Sequence, residues 1–355
     1  LTQFLRNSTL LLAILLMMAD AVAQSGGRSV YTFLNTPHTA RIAGLGGSLI
    51  MIKDDDAALG YHNPSLLNAS MHQQLNFNST LHVSGINNGF AGYTHHLNKL
   101  DATLMGGIQY FAYGQFDFTN SFGQSLGTFS ASEYALNVGI GKQYSEKFSY
   151  GANLKVIYSS LESYNSLGAA LDLGGTYQDT AKMFSIGLTF KNMGYQITKY
   201  HPAGEREPLP FDVQLGIAKQ LKYLPLRFSI TYHDLQRWNI RYKDPNADEP
   251  TSIFVEEGDT EETRFAILTD NFFRHFIVGL ELLAGKKENF RLRAAYNHQR
   301  RVELGVDKLR GLTGFSGGVG LKIKQFRIEY GISFYHLAGA TNHFTITTNL
   351  SSFKR

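Results

Sequence analysis

The chain has 355 residues, enough for one large closed sheet, and it is 43% hydrophobic, with 25 Phe, 19 Tyr and 35 Gly but only 8 Pro and 1 Trp. A net charge of +4, with no basic block interleaved with aromatics, argues against nucleic-acid binding. The absence of cysteine excludes disulfides, thiol catalysis and cysteine-ligated zinc or iron–sulfur centres, and suits export through an oxidising compartment.

Residues 1–23 read as a signal peptide. Arg6 supplies the positive start, Leu10 to Met18 the apolar run, and Ala21-Val22-Ala23 a small-x-small cleavage site, so the mature chain is expected to begin at Gln24. The apolar run is too short to span a bilayer comfortably, and no later stretch approaches the ~20 apolar residues of a membrane helix.

Residues 24–72 hold turn and capping residues and form a distinct N-terminal segment, with a short helix expected near Asp56 to Leu59. Gly44-Leu45-Gly46-Gly47 lacks the GK[ST] of a phosphate loop and is expected to be a tight turn. Asp54-Asp55-Asp56 lacks the glycine and further oxygen ligands of a calcium loop, which leaves Asp56 as a helix N-cap.

From Gln73 to Leu350 the pattern is alternation. Phe326, Ile328, Tyr330, Ile332 and Phe334 fall on one face of an extended chain, Arg327, Glu329, Gly331 and Ser333 on the other. Phe184 to Phe190, Tyr134 to Ile140, Phe148 to Tyr158, Phe211 to Ile217 and Phe290 to Tyr296 repeat it. The predicted strands are 73–82, 88–97, 101–113, 132–143, 148–159, 166–177, 183–192, 210–220, 226–234, 274–284, 289–298, 313–323, 326–335 and 342–350. Most are near the ~9–11 residues that a tilted strand needs to cross a bilayer. The expected fold is all-β: a transmembrane antiparallel barrel of about fourteen strands over residues 73–355.

Connection lengths sort by parity. Short turns at 98–100, 144–147, 178–182, 221–225, 285–288 and 324–325 alternate with longer connections at 114–131, 160–165, 193–209, 235–273, 299–312 and 336–341; the short 83–87 breaks the trend. A soluble β-sandwich or jelly roll has no reason to sort its loops this way, whereas a membrane barrel does, with long loops outward and termini periplasmic. Aromatics at strand ends, among them Tyr110, Tyr134, Tyr158, Tyr177, Phe184, Phe211, Phe290 and Tyr335, fit interfacial girdles.

Candidate chemistry is sparse. His95 and His96 are adjacent in a strand and point to opposite faces, so they cannot chelate one ion, and His62, His72 and His82 are scattered. Glu205, Glu207, Glu256, Glu257, Glu261 and Glu262 lie in predicted loops as solvated charge. No Ser/His/Asp or G-x-S-x-G arrangement is present. No catalytic, cofactor-binding or metal-binding residue is therefore expected, and the chain is expected not to be an enzyme.

The most specific signal lies at 31–67: Tyr31-Thr32-Phe33-Leu34-Asn35-Thr36-Pro37-His38-Thr39-Ala40-Arg41-Ile42-Ala43-Gly44-Leu45-Gly46-Gly47, then Asp54-Asp55-Asp56-Ala57-Ala58-Leu59, then Asn63-Pro64-Ser65-Leu66-Leu67. It resembles the PorQ family of the Bacteroidetes type IX secretion system. More broadly it is similar to the long-chain fatty-acid transporter (FadL) barrels and their relative PorV. The resemblance implies that Gly46, Gly47, Asp56, Asn63, Pro64 and Ser65 belong to a plug within the barrel lumen, with Ser65 where the transporters carry Ala. It also implies an outer-membrane scaffold beside PorU, PorV and PorZ in the complex that attaches cargo to lipopolysaccharide. The alternative it leaves open is a FadL-like channel for hydrophobic molecules. Outer-membrane barrels usually end on an aromatic residue; here Phe353 stands two positions before the end.

Overall fold

The computed structural model describes residues 29–82, 85–241, 264–285, 288–305, 311–336 and 339–353. The expected signal peptide and most of the 235–273 connection lie outside them. The strands are β1 (Gln74–Leu81), β2 (Asn87–Leu97), β3 (Ala102–Thr119), β4 (Ser125–Gln143), β5 (Phe148–Leu161), β6 (Tyr164–Asp179), β7 (Phe184–Thr198), β8 (Asp212–Gln220), β9 (Leu226–Tyr232), β10 (Phe276–Ala284), β11 (Phe290–Asn297), β12 (Phe315–Ile323), β13 (Phe326–His336) and β14 (Gly339–Asn349). Each pairs antiparallel with its sequence neighbour, and β1 pairs with β14 from Gln74↔Asn349 to Leu81↔Asn342, so the fourteen strands form a closed barrel. Closure gives every strand a partner on both sides, the condition that hydrocarbon imposes on a sheet.

Alternation sorts side chains inside out. In β4, Leu136 and Val138 are 54% and 57% exposed on the outer surface while Asn137 between them is fully buried. In β14, Ile346 is 49% exposed and its neighbours Thr345 and Thr347 are buried. The polar face of every such strand lines the interior, and the apolar face forms an outer band, the reverse of a soluble core. No helix among the described residues is long and apolar enough to cross a membrane.

Two expectations need correction. The predicted loop 114–131 is mostly strand: β3 and β4 run on to Thr119 and from Ser125. At 18 and 19 residues they exceed the ~9–11 needed to cross a bilayer, so this hairpin extends past the band. Its outer part is exposed on both faces, and burial there imposes no apolar alternation to read. For the same reason β5 and β6 leave only Glu162-Ser163 between them, and β7 extends to Thr198.

The second correction concerns the N-terminal segment. The helix expected near Asp56 to Leu59 is displaced by about one turn: α2 spans Leu59–His62, and α1 spans Ala40–Gly44. Thr39 caps α1, its hydroxyl accepting from the Ile42 N–H at 3.3 Å. The glycine-rich stretch ends α1 as a tight turn. Gly46 and Gly47 adopt φ of 87° and 99°, and the Gly47 N–H returns to the Ile42 carbonyl at 2.9 Å. Such angles favour glycine. Two short helices, α3 (Arg264–Arg274) and α4 (His298–Glu303), lie in the longer connections.

The outer band carries a direct prediction. Val138→Arg should lower folding stability by about 2–4 kcal/mol in a bilayer, because the charge would sit against acyl chains. Denaturant titration in lipid vesicles checks this, with the solvated Glu162→Arg in the β5–β6 turn expected to be nearly neutral.

Candidate functional site

Residues 29–72 meet inward-facing side chains on opposite walls. α1 packs on β11 to β14, and the turn Pro64–Leu66 packs on β4, β5 and β6. The segment therefore lies across the interior of the sheet cylinder, with Ala40, Arg41, Ile42, Asn63 and Ser65 all fully buried. Three contacts fix it.

The first is ionic and lies near the short-turn end. Arg41 of α1 holds Asp54 at 2.7 Å and Asp56 at 2.9 Å within the segment, and reaches Glu281 of β10 at 3.4 Å. Glu281 also receives Arg227 of β9 at 3.0 Å and Arg293 of β11 at 2.9 Å, and Arg293 continues to Glu329 of β13 at 2.6 Å. Arg327 takes Asp55 at 2.6 Å, and Arg291 lies 3.8 Å from both Asp54 and Asp55. The arginines 41, 227, 291, 293 and 327 thus match the carboxylates 54, 55, 56, 281 and 329 one for one. Burial alone would raise the Asp54 carboxyl, but the charges of Arg41, Arg227 and Arg291 outweigh it and hold it well below the usual carboxylate range.

Asp56 does not cap a helix by itself. Its Oδ1 accepts from the Ala58 N–H at 3.3 Å, ahead of α2, while Oδ2 is bound to Arg41. The aspartate run is therefore an arginine receptor. Alternation in the sequence puts Arg291, Arg293, Arg327 and Glu329 on polar strand faces, and only the folded chain brings Arg291 and Arg327 to the aspartates. The available signal is charge at successive inward positions (R-x-R at 291–293, R-x-E at 327–329) opposite an acidic triplet on a segment bound for the interior.

The second contact seats Asn63, Pro64 and Ser65. The Asn63 amide donates to the Ile50 carbonyl at 2.6 Å and to Thr176 Oγ1 of β6 at 3.2 Å, while its Oδ1 accepts from the Ser65 N–H at 3.0 Å. Ser65 Oγ lies 2.6 Å from Thr176 Oγ1. The wall beneath is Gly141 of β4, Gly151 of β5 and Gly174 of β6; a Cβ on any of them would collide with Pro64 or Asn63. On the far side, Gly46 presents its carbonyl to Arg300 at 3.0 Å. Asn63 and Ser65 thus act as one polar unit, with Gly46 on the opposite wall.

The third contact is apolar and lies toward the long connections. Val30, Tyr31, Phe33 and Leu34 pack with Phe111, Ile157 and Leu209. Between the ionic and apolar levels sit His38 and His62, stacked at 4.7 Å and fully buried beside Tyr61 and Phe90. Burial lowers the His38 imidazole to about 3 and pushes His62 well below its ordinary value, so both are neutral at pH 7. Two cavities open at the short-turn end. One of about 570 Å³ is lined by Asp55, Lys322, Lys324 and Arg327, and one of about 190 Å³ by Lys53, Asp179 and Arg227.

No protein-family model matches the sequence, and no curated protein matches it. Among solved structures the chain is similar to a deltaS2 mutant of the TodX monoaromatic hydrocarbon channel, at 12% identity over 88% of this chain and 97% of that one, with a TM-score of 0.52. The Pseudomonas putida toluene transporter TodX gives 13% identity over 92% and 98%, with a TM-score of 0.51. A Pseudomonas aeruginosa FadL homologue gives 9% identity, 91% and 100%, at a TM-score of 0.47, too distant to argue from. At such identities the likeness shows the fold alone: a closed antiparallel barrel like that of TodX.

Two predictions follow from the contacts. Arg41→Met leaves Asp54, Asp56 and Glu281 without their shared cation inside the barrel, and should cost the seated segment about 3–5 kcal/mol. Hydrogen exchange of residues 40–66 reads this as lost protection, with the strand amides unchanged. Acid should loosen the segment as well. Seated, His38 stays neutral down to about 3, whereas released it takes a proton near 6.5. The released form therefore binds more protons in that window, and protection should fall as pH drops from about 6.5 toward 3. Combining His38→Asn with His62→Asn should flatten the decline above pH ~4, where the ordinary carboxylates remain ionised.

Proposed function

We propose that this chain is a non-catalytic outer-membrane barrel, its lumen closed by its own N-terminal segment, that serves as a membrane scaffold for the surface attachment complex of a type IX secretion system. The observation that carries the reading is the interior: a buried, charge-matched contact joins the segment to the wall at Arg41 and Glu281. That arrangement fits a support more readily than an open conduit. The PorQ-like residues 31–67 supply the identity of the complex, with PorZ, PorU and PorV as partners and lipopolysaccharide as neighbour. In this reading Gly46, Gly47, Asp56, Asn63, Pro64 and Ser65 hold the plug. The long connections face outward, and the short turns and termini face the periplasm.

The docking element is the 235–273 connection. Its central part lies outside the described residues; its described flank, α3, exposes Phe265, Leu268 and Phe272 at one helical stripe. Deleting residues 240–268 should abolish recovery of PorZ in a pull-down from outer-membrane extracts while the barrel still assembles. Undiminished recovery would overturn the loop assignment.

A second reading is a channel or transporter for hydrophobic molecules. The fold likeness to TodX, described as a monoaromatic hydrocarbon channel and toluene transporter, favours it, and that comparison bears on this reading and not on the scaffold. Uptake of labelled toluene by cells making the barrel, absent from cells without it, would support the channel over the scaffold.

A further inference from the structure

The short-turn end of the barrel carries a pattern that the lumen contacts do not use. Lysine recurs there beside an exposed apolar or aromatic side chain. Lys99 adjoins Leu100 between β2 and β3, Lys142 stands two residues before Tyr144 between β4 and β5, and Lys182 adjoins Met183 between β6 and β7. Between β8 and β9, Lys222 precedes Tyr223 and Leu224, and Lys324 follows Ile323 at the β12–β13 turn. Tyr144 and Tyr223 are 80% and 89% exposed, and the Lys222 ammonium lies 5.5 Å from the centre of the Tyr223 ring, so charge and aromatic face occur together at this rim.

Positive charge is in excess on this rim. Lys99, Lys142, Lys182, Lys222 and Lys324 are exposed, and none has an ion-pair partner among the described residues. Of the acids on the same turns, Asp179 is held by Lys147 at 2.8 Å, Glu288 lies 3.7 Å from Arg291 and Asp101 lies 3.8 Å from His96, which leaves the exposed Glu146 against the five lysines. Among the described residues the opposite end differs: Asp117, Glu162, Glu205, Glu207 and Glu303 are exposed there, with Arg206.

We propose that this rim is a docking collar for anionic glycerophospholipid headgroups, the lysine ammonium groups meeting lipid phosphates while the adjacent apolar side chains enter the acyl boundary. The inference rests on the membrane-barrel reading and goes beyond it. Placement decides the occupant. The lysines are spread over turns around the circumference, which suits an annulus of lipid and does not suit one face of a single protein. Each stands at or just beyond a strand end, where a lysine stem lies along apolar surface and carries its charge to the headgroup level. Tyrosine is at home at the same depth. Attraction between such lysines and anionic lipid adds per residue and fades within a Debye length, so it is sensitive to salt.

The full barrel is reconstituted into phosphatidylcholine vesicles with and without phosphatidylglycerol. The lipid retained after mild detergent extraction is then identified by native mass spectrometry. The collar should enrich phosphatidylglycerol roughly threefold over its bulk fraction. Combining Lys99→Gln, Lys142→Gln, Lys182→Gln, Lys222→Gln and Lys324→Gln should return it to the bulk fraction. Heat-modifiable gel mobility in pure phosphatidylcholine reports separately that both forms insert as barrels. Absence of enrichment in an inserted wild-type barrel, or equal enrichment in the inserted variant, would overturn the collar and leave the barrel intact. Should the variant fail to insert, the wild type decides: enrichment that does not decline between about 50 mM and 500 mM salt is not held by exposed lysines. In vesicles that also carry lipid A, its retention in place of phosphatidylglycerol, lost in the variant, would also overturn the assignment. Failure of the wild type to insert at all would instead remove the membrane reading on which the collar rests.

Discussion

An unpaired backbone N–H or C=O in hydrocarbon has no water to bond, and each such group costs several kcal/mol. A sheet exposed to lipid must therefore close, and here β1 closes on β14 over the full length of β1. Closure fixes which way each residue points. Once Phe344 and Ile346 face outward, Thr345 and Thr347 have nowhere to go but the interior. The outer surface is thereby committed to apolar side chains and the inner to polar ones, and the interior becomes a problem of polar satisfaction.

That problem is solved by the chain's own beginning. Without a partner the closed polar interior would hold four arginines, 227, 291, 293 and 327, against only Glu281 and Glu329 on the same walls, and Arg291 and Arg327 would lose the aspartates they meet. The segment from Val30 to Met71 brings Arg41 and the aspartates 54, 55 and 56 to them. Buried ion pairs are poor sources of net stability, since desolvation consumes much of the Coulomb gain. Their effect is on uniqueness. Arg41 can meet Glu281 only if α1 lies on β13 and β12, and Asn63 can meet Thr176 only if Pro64 sits over Gly141 and Gly151. A shift of one residue along either wall would strand several charges at once, so the ionic and glycine seats together specify a single placement.

The sheet was legible in the amino-acid sequence because its signal is local. Period two over nine residues, as at Phe326 to Phe334, needs no knowledge of the partner strand, and all fourteen strands lie where the alternation put them. The extent of β3, β4 and β7 beyond the apolar band was not legible: Gln115, Asp117 and Gln124 are solvated on both sides of the sheet, and nothing there selects an apolar face. The resemblance of residues 31–67 pointed to Asn63, Pro64 and Ser65, and the structure joins two of them through Thr176. Arg41 and its wall partners could not be found by spacing, since Arg41 and Glu281 are 240 residues apart and meet only after the barrel exists.

The interior bears differently on the two functional readings. Passage of an apolar molecule past the level of Arg41 would require the segment to leave the wall, separating Arg41 from Glu281 and Arg327 from Asp55. Each separation exposes a charge that an apolar cargo cannot compensate, and breaking one side of a buried pair costs about 3–5 kcal/mol before water enters. A conduit in this barrel therefore needs either a wet transition or a path that avoids the ionic level. A support needs neither. For a scaffold, the resistance of the same contact to opening is an advantage, because it keeps the long connections on a rigid ring and lets partners bind without reordering what lies beneath them.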